Sequence, residues 1–79
     1  MGDTIGIIAG SGDLPKIIAK DAKERGFRVV IIALENLASP DLSKLSDEIK
    51  WINVGKFGEL IDTLKEFNVN EAIMAGKVS

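Results

Sequence analysis

Short apolar runs alternate along this chain with stretches in which apolar residues recur every three or four positions. Residues 4–9 form a near-continuous apolar run with three isoleucines, which is typical of a strand covered on both faces. A helix over about 14–25 is predicted next, with Pro15 in its first turn and Gly26 as its stop. Its apolar positions at helical spacing are Leu14, Ile17, Ile18 and Ala22.

The alternation continues after this helix. Phe27 and residues 29–33 predict a second buried strand, which completes a strand–helix–strand unit. One short helix is expected after that strand, because Ser39 suits an N-cap and Pro40 and Asp41 suit a first helical turn.

Two further strands enclose the clearest helix of the chain. Residues 51–54 predict the third strand and residues 72–75 predict the fourth. Between them, apolar and polar residues separate onto two helical faces, and Asn68 or Asn70 is expected to end the helix. The apolar face consists of Phe57, Leu60, Ile61, Leu64 and Phe67.

This order of elements predicts an α/β fold. The simplest arrangement is a Rossmann-like three-layer domain with a four-stranded parallel sheet in the order 3-2-1-4. In such a sheet every turn from a strand to a helix lies at the carboxyl edge. We therefore expect the following residues to gather there: Gly10, Ser11, Gly12, Glu35, Gly55, Lys56, Gly58, Gly76 and Lys77.

The turn Gly10-Ser11-Gly12 carries the most specific chemistry of the sequence. Glycines let a ligand approach the backbone, the turn exposes N–H groups, and the following helix N-terminus carries a partial positive charge. The turn therefore predicts a phosphate or nucleotide site. Pro15 stands at the third glycine of the dinucleotide fingerprint G-x-G-x-x-G, which disfavours an ordinary NAD site. The alternative interpretation is a tight connection whose glycines serve only its dihedral angles.

Other residues at this edge carry weaker signals. Glu35 lies roughly where dinucleotide-binding folds place a ribose-binding acid, although a loop glutamate is more often a solvated charge. Lys56 and Lys77 follow later strands and could each attract an anion as a point charge, or stay exposed and uninvolved. Trp51 is expected to pack in the core or at the sheet edge.

Composition excludes several classes of function. The 79 residues carry a net charge of −2 with a pI of about 5.0, which argues against nucleic-acid binding. Without cysteine or histidine, the chain offers no disulfide, no usual zinc site and no Ser/His triad. No apolar run approaches the ~20 residues of a membrane span, so a cytoplasmic location is expected. The acidic residues without a metal-binding spacing, interpreted as solvated charge, are Asp41, Asp47 and Glu48.

Four segments in this order resemble one known family: IGIIAGSGDLP from residue 5, Ala38–Asp41, Val54–Gly58, and AGKVS from residue 75. They resemble the N-terminal part of the UDP-2,3-diacylglucosamine pyrophosphatases of LpxI type. The resemblance spans the whole chain but leaves the family's C-terminal domain outside it. Because the chain also ends directly after its fourth predicted strand, it is expected to be a fragment of a longer protein.

The resemblance implies a lipid-linked UDP-sugar bound between a Rossmann-like N-terminal domain and a separate C-terminal domain. The implied reaction belongs to lipid A biosynthesis and hydrolyses UDP-2,3-diacylglucosamine to 2,3-diacylglucosamine 1-phosphate and UMP, with a divalent metal such as Mg²⁺. The family's metal-binding catalytic acid belongs to the C-terminal domain, so no catalytic or metal-binding residue is assigned here. The residues that match the family's pattern, and that the resemblance implies shape the substrate cleft, are Gly10, Ser11, Gly12, Leu14, Pro15, Gly55, Phe57, Gly58, Gly76 and Val78.

The isolated chain is therefore expected to bind substrate without turning it over. Peripheral contact of the full-length enzyme with the inner membrane and self-association through exposed sheet edges are left open. Two rival classes also remain. One is a stand-alone nucleotide-binding, flavodoxin-like or receiver-like interaction module, although Asp13 alone does not supply a receiver's acidic cluster. The other is an NAD(P)-dependent oxidoreductase domain, which Pro15 disfavours, and fold analogy alone does not decide among them.

Overall fold

The computed structural model describes residues 3–69 and 71–77, without the side chain of Phe57. Strands and helices alternate along the chain as the hydrophobic pattern predicts. In order, the elements are strand β1 (Thr4–Ala9), helix α1 (Leu14–Glu24), strand β2 (Arg28–Leu34), a 3-10 helix (Pro40–Leu45), strand β3 (Glu48–Ile52), helix α2 (Phe57–Glu66) and strand β4 (Glu71–Ala75).

The four strands form one parallel sheet in the order β3-β2-β1-β4. This confirms the predicted fold class and strand order. Ala9 at the end of β1 pairs with Ala33 of β2 and with Ala75 of β4. The carboxyl ends of three neighbouring strands are therefore level, and the turns that follow β1 and β4 begin side by side.

Helices cover both faces of the sheet and make the predicted three layers. On one face, α1 and the 3-10 helix contribute Ala19, Ala22 and Leu42 to the larger core cluster. On the other face, Leu60 and Leu64 of α2 pack against a smaller cluster that includes Ile8 and Ile32. Both faces of the central strands β1 and β2 are covered, so residues 29–33 of β2 are fully buried. Such burial explains why strands of a parallel sheet have near-continuous apolar runs.

Strand β3 begins earlier than the sequence predicts and ends earlier, at Glu48–Ile52 rather than 51–54. It is an edge strand, so Glu48 and Lys50 remain exposed and interrupt the apolar pattern that a buried strand would show. Asn53 ends the strand because its side-chain Oδ1 accepts the N–H of Gly55 at 2.9 Å. Trp51 lies on this edge strand with 39% of its surface exposed.

Helix α1 presents a narrower apolar stripe to the sheet than the sequence predicts. Pro15, Ala19 and Ala22 are its buried residues, and their small side chains allow the helix to lie close to the strands. Leu14 and Ile17, predicted among the apolar positions, lie on the flank of that stripe and are 51% and 62% exposed. Helical spacing identifies the apolar positions of a helix but does not show how wide its covered face is.

Helix α2 also differs in detail from its predicted apolar face. Ile61 is 57% exposed, whereas Thr63 is buried and donates its Oγ1–H to the Glu59 carbonyl at 2.7 Å. Satisfying its hydroxyl within the helix lets threonine take a core position. Asn68 follows the helix with a φ of 54°, as the sequence predicts for a terminating asparagine, and Asn70 lies outside the described residues.

Asp47 is more than the solvated charge that the sequence predicts. It precedes β3 at the amino edge of the sheet, where its Oδ2 accepts the N–H of Val29 at 2.7 Å. Its Oδ1 accepts the Nζ–H of Lys23 at 2.9 Å. Asp41 and Glu48, by contrast, remain exposed, with long ion pairs of 3.7 Å to Lys16 and 3.8 Å to Arg28.

Within residues 3–69 and 71–77, no helix has the length and apolar character needed to cross a membrane.

Candidate functional site

The turn after β1 and the segment after β4 lie in direct contact at the carboxyl edge. The N–H of Ser11 donates to the Lys77 carbonyl at 2.9 Å, and the N–H of Lys77 donates to the Ser11 carbonyl at 3.0 Å. The Ser11 hydroxyl also reaches the Lys77 carbonyl at 3.3 Å. We call this contact among Gly10, Ser11, Gly76 and Lys77 the clasp.

Two glycines make the clasp sterically feasible. A Cβ on Gly76 would lie 2.6 Å from the Ser11 carbonyl oxygen, and a Cβ on Gly10 would collide with the carbonyl oxygen of Lys77. In the dinucleotide fingerprint, the first glycine serves the tight turn and the second lets the backbone approach the pyrophosphate. Gly10 is the first glycine of this turn, and the backbone of Lys77 occupies the space beside it.

The backbone that follows the clasp, from Gly12 to Leu14, is not paired in this way. The N–H groups of Gly12, Asp13 and Leu14 have no hydrogen-bond partner among residues 3–69 and 71–77. Gly12 adopts a φ of 99°, and a Cβ placed there would meet nothing within 4 Å. These three groups lie at the N-terminus of α1, whose partial positive charge favours an anion. This part of the predicted turn is therefore the part accessible to a phosphate.

Leu14 and Pro15 both belong to the predicted site but occupy different environments. Pro15 is fully buried and lies in the first turn of α1, so it supports the turn from the core side. Leu14 is 51% exposed beside the unpartnered N–H groups. Of the two side chains, only that of Leu14 is available for direct contact with a ligand.

Lys16 is a charged residue of this region that sequence reasoning did not single out. Its Nζ lies 3.8 Å from Oδ1 of Asp13 and 3.7 Å from Oδ2 of Asp41, which places one cation between α1 and the 3-10 helix. The Asp13–Lys16 pair follows from its i, i+3 spacing. The contact with Asp41 depends on the packing of two elements, so no local pattern reveals it.

The turn after β3 forms a separate part of the edge. Its N–H groups are partly used internally, because Asn53 accepts from Gly55 at 2.9 Å and from Lys56 at 3.0 Å. Gly58, in the first turn of α2, has open space around its Cβ position. Strand β2 separates this turn from the first, a distance of about 10 Å for two strand spacings.

Glu35 belongs with this second part and not with the first turn. Its N–H donates to the Ile52 carbonyl at 2.9 Å, so its backbone is fixed beside the end of β3. The predicted edge therefore has two halves, one built on β1 and β4 and the other on β2 and β3. The side chain of Phe57 and the whole of Val78, both predicted to shape the site, lie outside the described part of the chain.

The edge is an open surface. No enclosed pocket occurs in the part of the chain that the structure describes. Nor do any three of its aspartate or glutamate residues come together in a group that could hold a metal ion. What the arrangement offers chemically is unpartnered backbone N–H groups, a helix N-terminus and the nearby cation of Lys16.

The parallel sheet with helices on both faces defines a three-layer α/β domain whose glycine turns meet at its carboxyl edge. Residues 4–79 match the family model described as the LpxI N-terminal domain. The chain therefore belongs to the LpxI family. A comparison with curated proteins gave no match.

Proposed function

We propose that this chain is the substrate-binding N-terminal domain of a hydrolase that cleaves the pyrophosphate of UDP-2,3-diacylglucosamine in lipid A biosynthesis. The products would be 2,3-diacylglucosamine 1-phosphate and UMP. Membership of the LpxI family supports the pathway, and the carboxyl edge supports an anionic ligand. The proposal includes a cytoplasmic enzyme in peripheral contact with the inner membrane, where a lipid-linked substrate resides.

One observation carries the proposal for this chain: three consecutive N–H groups, of Gly12, Asp13 and Leu14, lack partners among the described residues and lie at a helix N-terminus. Backbone N–H groups in this position bind phosphate oxygens well because the helix dipole adds to their hydrogen bonds. The exposed side chain of Leu14 borders the same groups. In the proposed role, these N–H groups hold a phosphate of the UDP moiety and orient the substrate.

The proposal assigns the hydrolytic chemistry to another domain. Among the described residues, no three acidic side chains come together in a group that could hold a metal ion, and the proposal assigns Mg²⁺ to the C-terminal domain of the family. When bound, a divalent metal would polarise the phosphoryl oxygens and activate water. The 79-residue chain is accordingly expected to leave UDP-2,3-diacylglucosamine intact in the presence of magnesium.

Calorimetric titration with UMP tests the binding role, with Gly12→Val compared against Gly26→Val. The two glycines have similar φ values of 99° and 88°, and a Cβ at either would meet nothing within 4 Å. Valine should therefore strain both backbones to a similar extent. Only Gly12 lies at the carboxyl edge, since Gly26 lies between α1 and β2.

The proposal expects saturable UMP binding by the wild-type chain and by Gly26→Val. Gly12→Val should bind at least about tenfold more weakly, because its side chain occupies the approach to the N–H groups. Equal affinity of the two variants would exclude the first turn as the phosphate site. No binding by the wild-type chain would favour the stand-alone interaction module.

A further inference from the structure

The clasp has a mechanical consequence for the candidate site. Between the end of β1 at Ala9 and the start of α1 at Leu14, the chain passes through two glycines, which gain more freedom than other residues when unrestrained. Three N–H groups of this connection have no partner among the described residues. Within residues 3–69 and 71–77, its only backbone hydrogen bonds to the rest of the sheet are those to Ala75 and Lys77.

We propose that the clasp is a positioning device that makes the turn after β1 and the segment after β4 one rigid unit. In this role Gly10, Ser11, Gly76 and Lys77 hold the N–H groups of Gly12–Leu14 in place before any ligand arrives. Preorganised donors avoid the ordering cost that a mobile turn would incur on binding. That these donors hold a phosphate rests on the proposed function, whereas the mechanical coupling does not.

The contacts support coupling more strongly than a single hydrogen bond would. The two backbone hydrogen bonds are reciprocal, at 2.9 and 3.0 Å, so neither residue can leave without breaking both. The same region is packed from both sides, because the Cβ positions of Gly10 and Gly76 are each filled by backbone atoms of the opposite segment. The residues joined in this way are 66 positions apart in the chain.

The clasp also limits where a ligand can bind at the carboxyl edge. In open α/β sheets, ligands bind outside the carboxyl ends at the point where the strand order reverses, which here is between β1 and β4. The reciprocal Ser11–Lys77 hydrogen bonds fill that position. A bound phosphate therefore lies beyond the clasp, on the side of α1, and does not enter between the strands.

Hydrogen exchange of the ligand-free 79-residue chain tests the coupling. The N–H groups of Ser11 and Lys77 should show protection equal to within about twofold, since one opening event breaks both hydrogen bonds. Gly10→Ala and Gly76→Ala attack the clasp from opposite sides, and each should lower both protections by at least about tenfold. Gly26→Ala is the matched control, because it has the same left-handed backbone as Gly76 but open space around it.

Two results would overturn the coupling. One is unequal protection of Ser11 and Lys77 in the wild-type chain. The other is a loss of protection in Gly26→Ala as large as that in the two clasp variants. The use of two clasp variants keeps the test decisive if one of them fails to fold.

UMP titration of the same variants tests the positioning role. Gly76→Ala should bind UMP about tenfold more weakly than Gly26→Ala, although residue 76 need not touch the ligand. Lowered protection with unchanged affinity would overturn the positioning role. If the wild-type chain binds no UMP, the proposed function fails, while the exchange experiment still decides whether the clasp couples the two segments.

Discussion

The carboxylate of Asp47 and the backbone of Val29 are joined in both directions at the amino edge of the sheet. Asp47 Oδ2 accepts the Val29 N–H at 2.7 Å, and the Asp47 N–H donates to the Val29 carbonyl at 2.8 Å. Lys23 completes the arrangement with an Nζ–Oδ1 distance of 2.9 Å. One aspartate thus ties the starts of β2 and β3 to the end of α1.

Replacing this carboxylate should destabilise the fold. Asp47→Ala leaves the N–H of the fully buried Val29 without its partner, which should cost about 2 kcal/mol. Asp47→Asn keeps an oxygen acceptor and should cost less. Urea unfolding at pH 7 measures both, and Asp62→Ala, on an exposed face of α2, is the matched control with an expected change within about 0.5 kcal/mol.

The same carboxylate should make stability depend on pH. The hydrogen bond from the Val29 N–H, followed by that from Lys23, lowers the pKa of Asp47 in the folded state. A lowered pKa stabilises the fold fully above the unfolded value of about 3.9, and this contribution is lost as the pH falls through the folded pKa. Between pH 6 and pH 2.5, wild type should therefore lose more stability than Asp47→Asn. Parallel pH profiles for the two proteins would contradict the assignment.

Truncating two isoleucines, one buried and one exposed, should change the free energy of unfolding by very different amounts. Ile31 is completely buried in β2, so Ile31→Ala should cost about 3 kcal/mol through lost burial and the cavity left behind. Ile17 is 62% exposed on α1, and Ile17→Ala should change stability by no more than about 0.5 kcal/mol. Urea unfolding of both variants measures the two changes in stability. A large loss for Ile17→Ala would show that the stripe of α1 extends further than the structure indicates.

Two glycines outside the clasp should respond in opposite directions to replacement by alanine. A Cβ on Gly6 in β1 would lie 2.8 Å from Cγ1 of Val69 and 3.2 Å from Cδ2 of Leu64, so Gly6→Ala should cost about 2 kcal/mol by overpacking. Gly58, in the first turn of α2, has open space, and Gly58→Ala should add up to about 0.5 kcal/mol through helix propensity. Thermal unfolding should shift in opposite directions. A shift in the same direction would contradict the packing of α2 on β1.

Strands and helices such as β1, α1 and the 3-10 helix could be predicted from the sequence because the patterns that indicate them are local. Strand β1 and helix α1 come from an apolar run and a helical period, and Ser39 caps the 3-10 helix by accepting the Asp41 N–H at 3.3 Å. The place of strand β3 in the sheet is confirmed, but its predicted bounds of 51–54 are wrong because an edge strand needs no apolar run on its exposed face. The buried Thr63 and the tie made by Asp47 depend on partners that no local pattern reveals.

The candidate site could be predicted only in part. The order of elements correctly placed the glycine turns after β1, β3 and β4 at one edge of a parallel sheet. Which N–H groups remain without partners there depends on the pairing of Ser11 with Lys77, two residues far apart in sequence. The motif predicts that Gly10, Ser11 and Gly12 form one binding turn. In the structure, Gly10 and Ser11 belong to the clasp, whereas Gly12 belongs to the accessible backbone.

Amide shift mapping of the ¹⁵N-labelled chain during a UMP titration tests the central claim most directly. The largest changes should occur at the N–H groups of Gly12, Asp13 and Leu14 and should saturate together with one dissociation constant. The amino edge around Gly26 and Asp47 should stay unchanged. Changes centred on that amino edge, or no change at Gly12–Leu14 at saturating UMP, would contradict it.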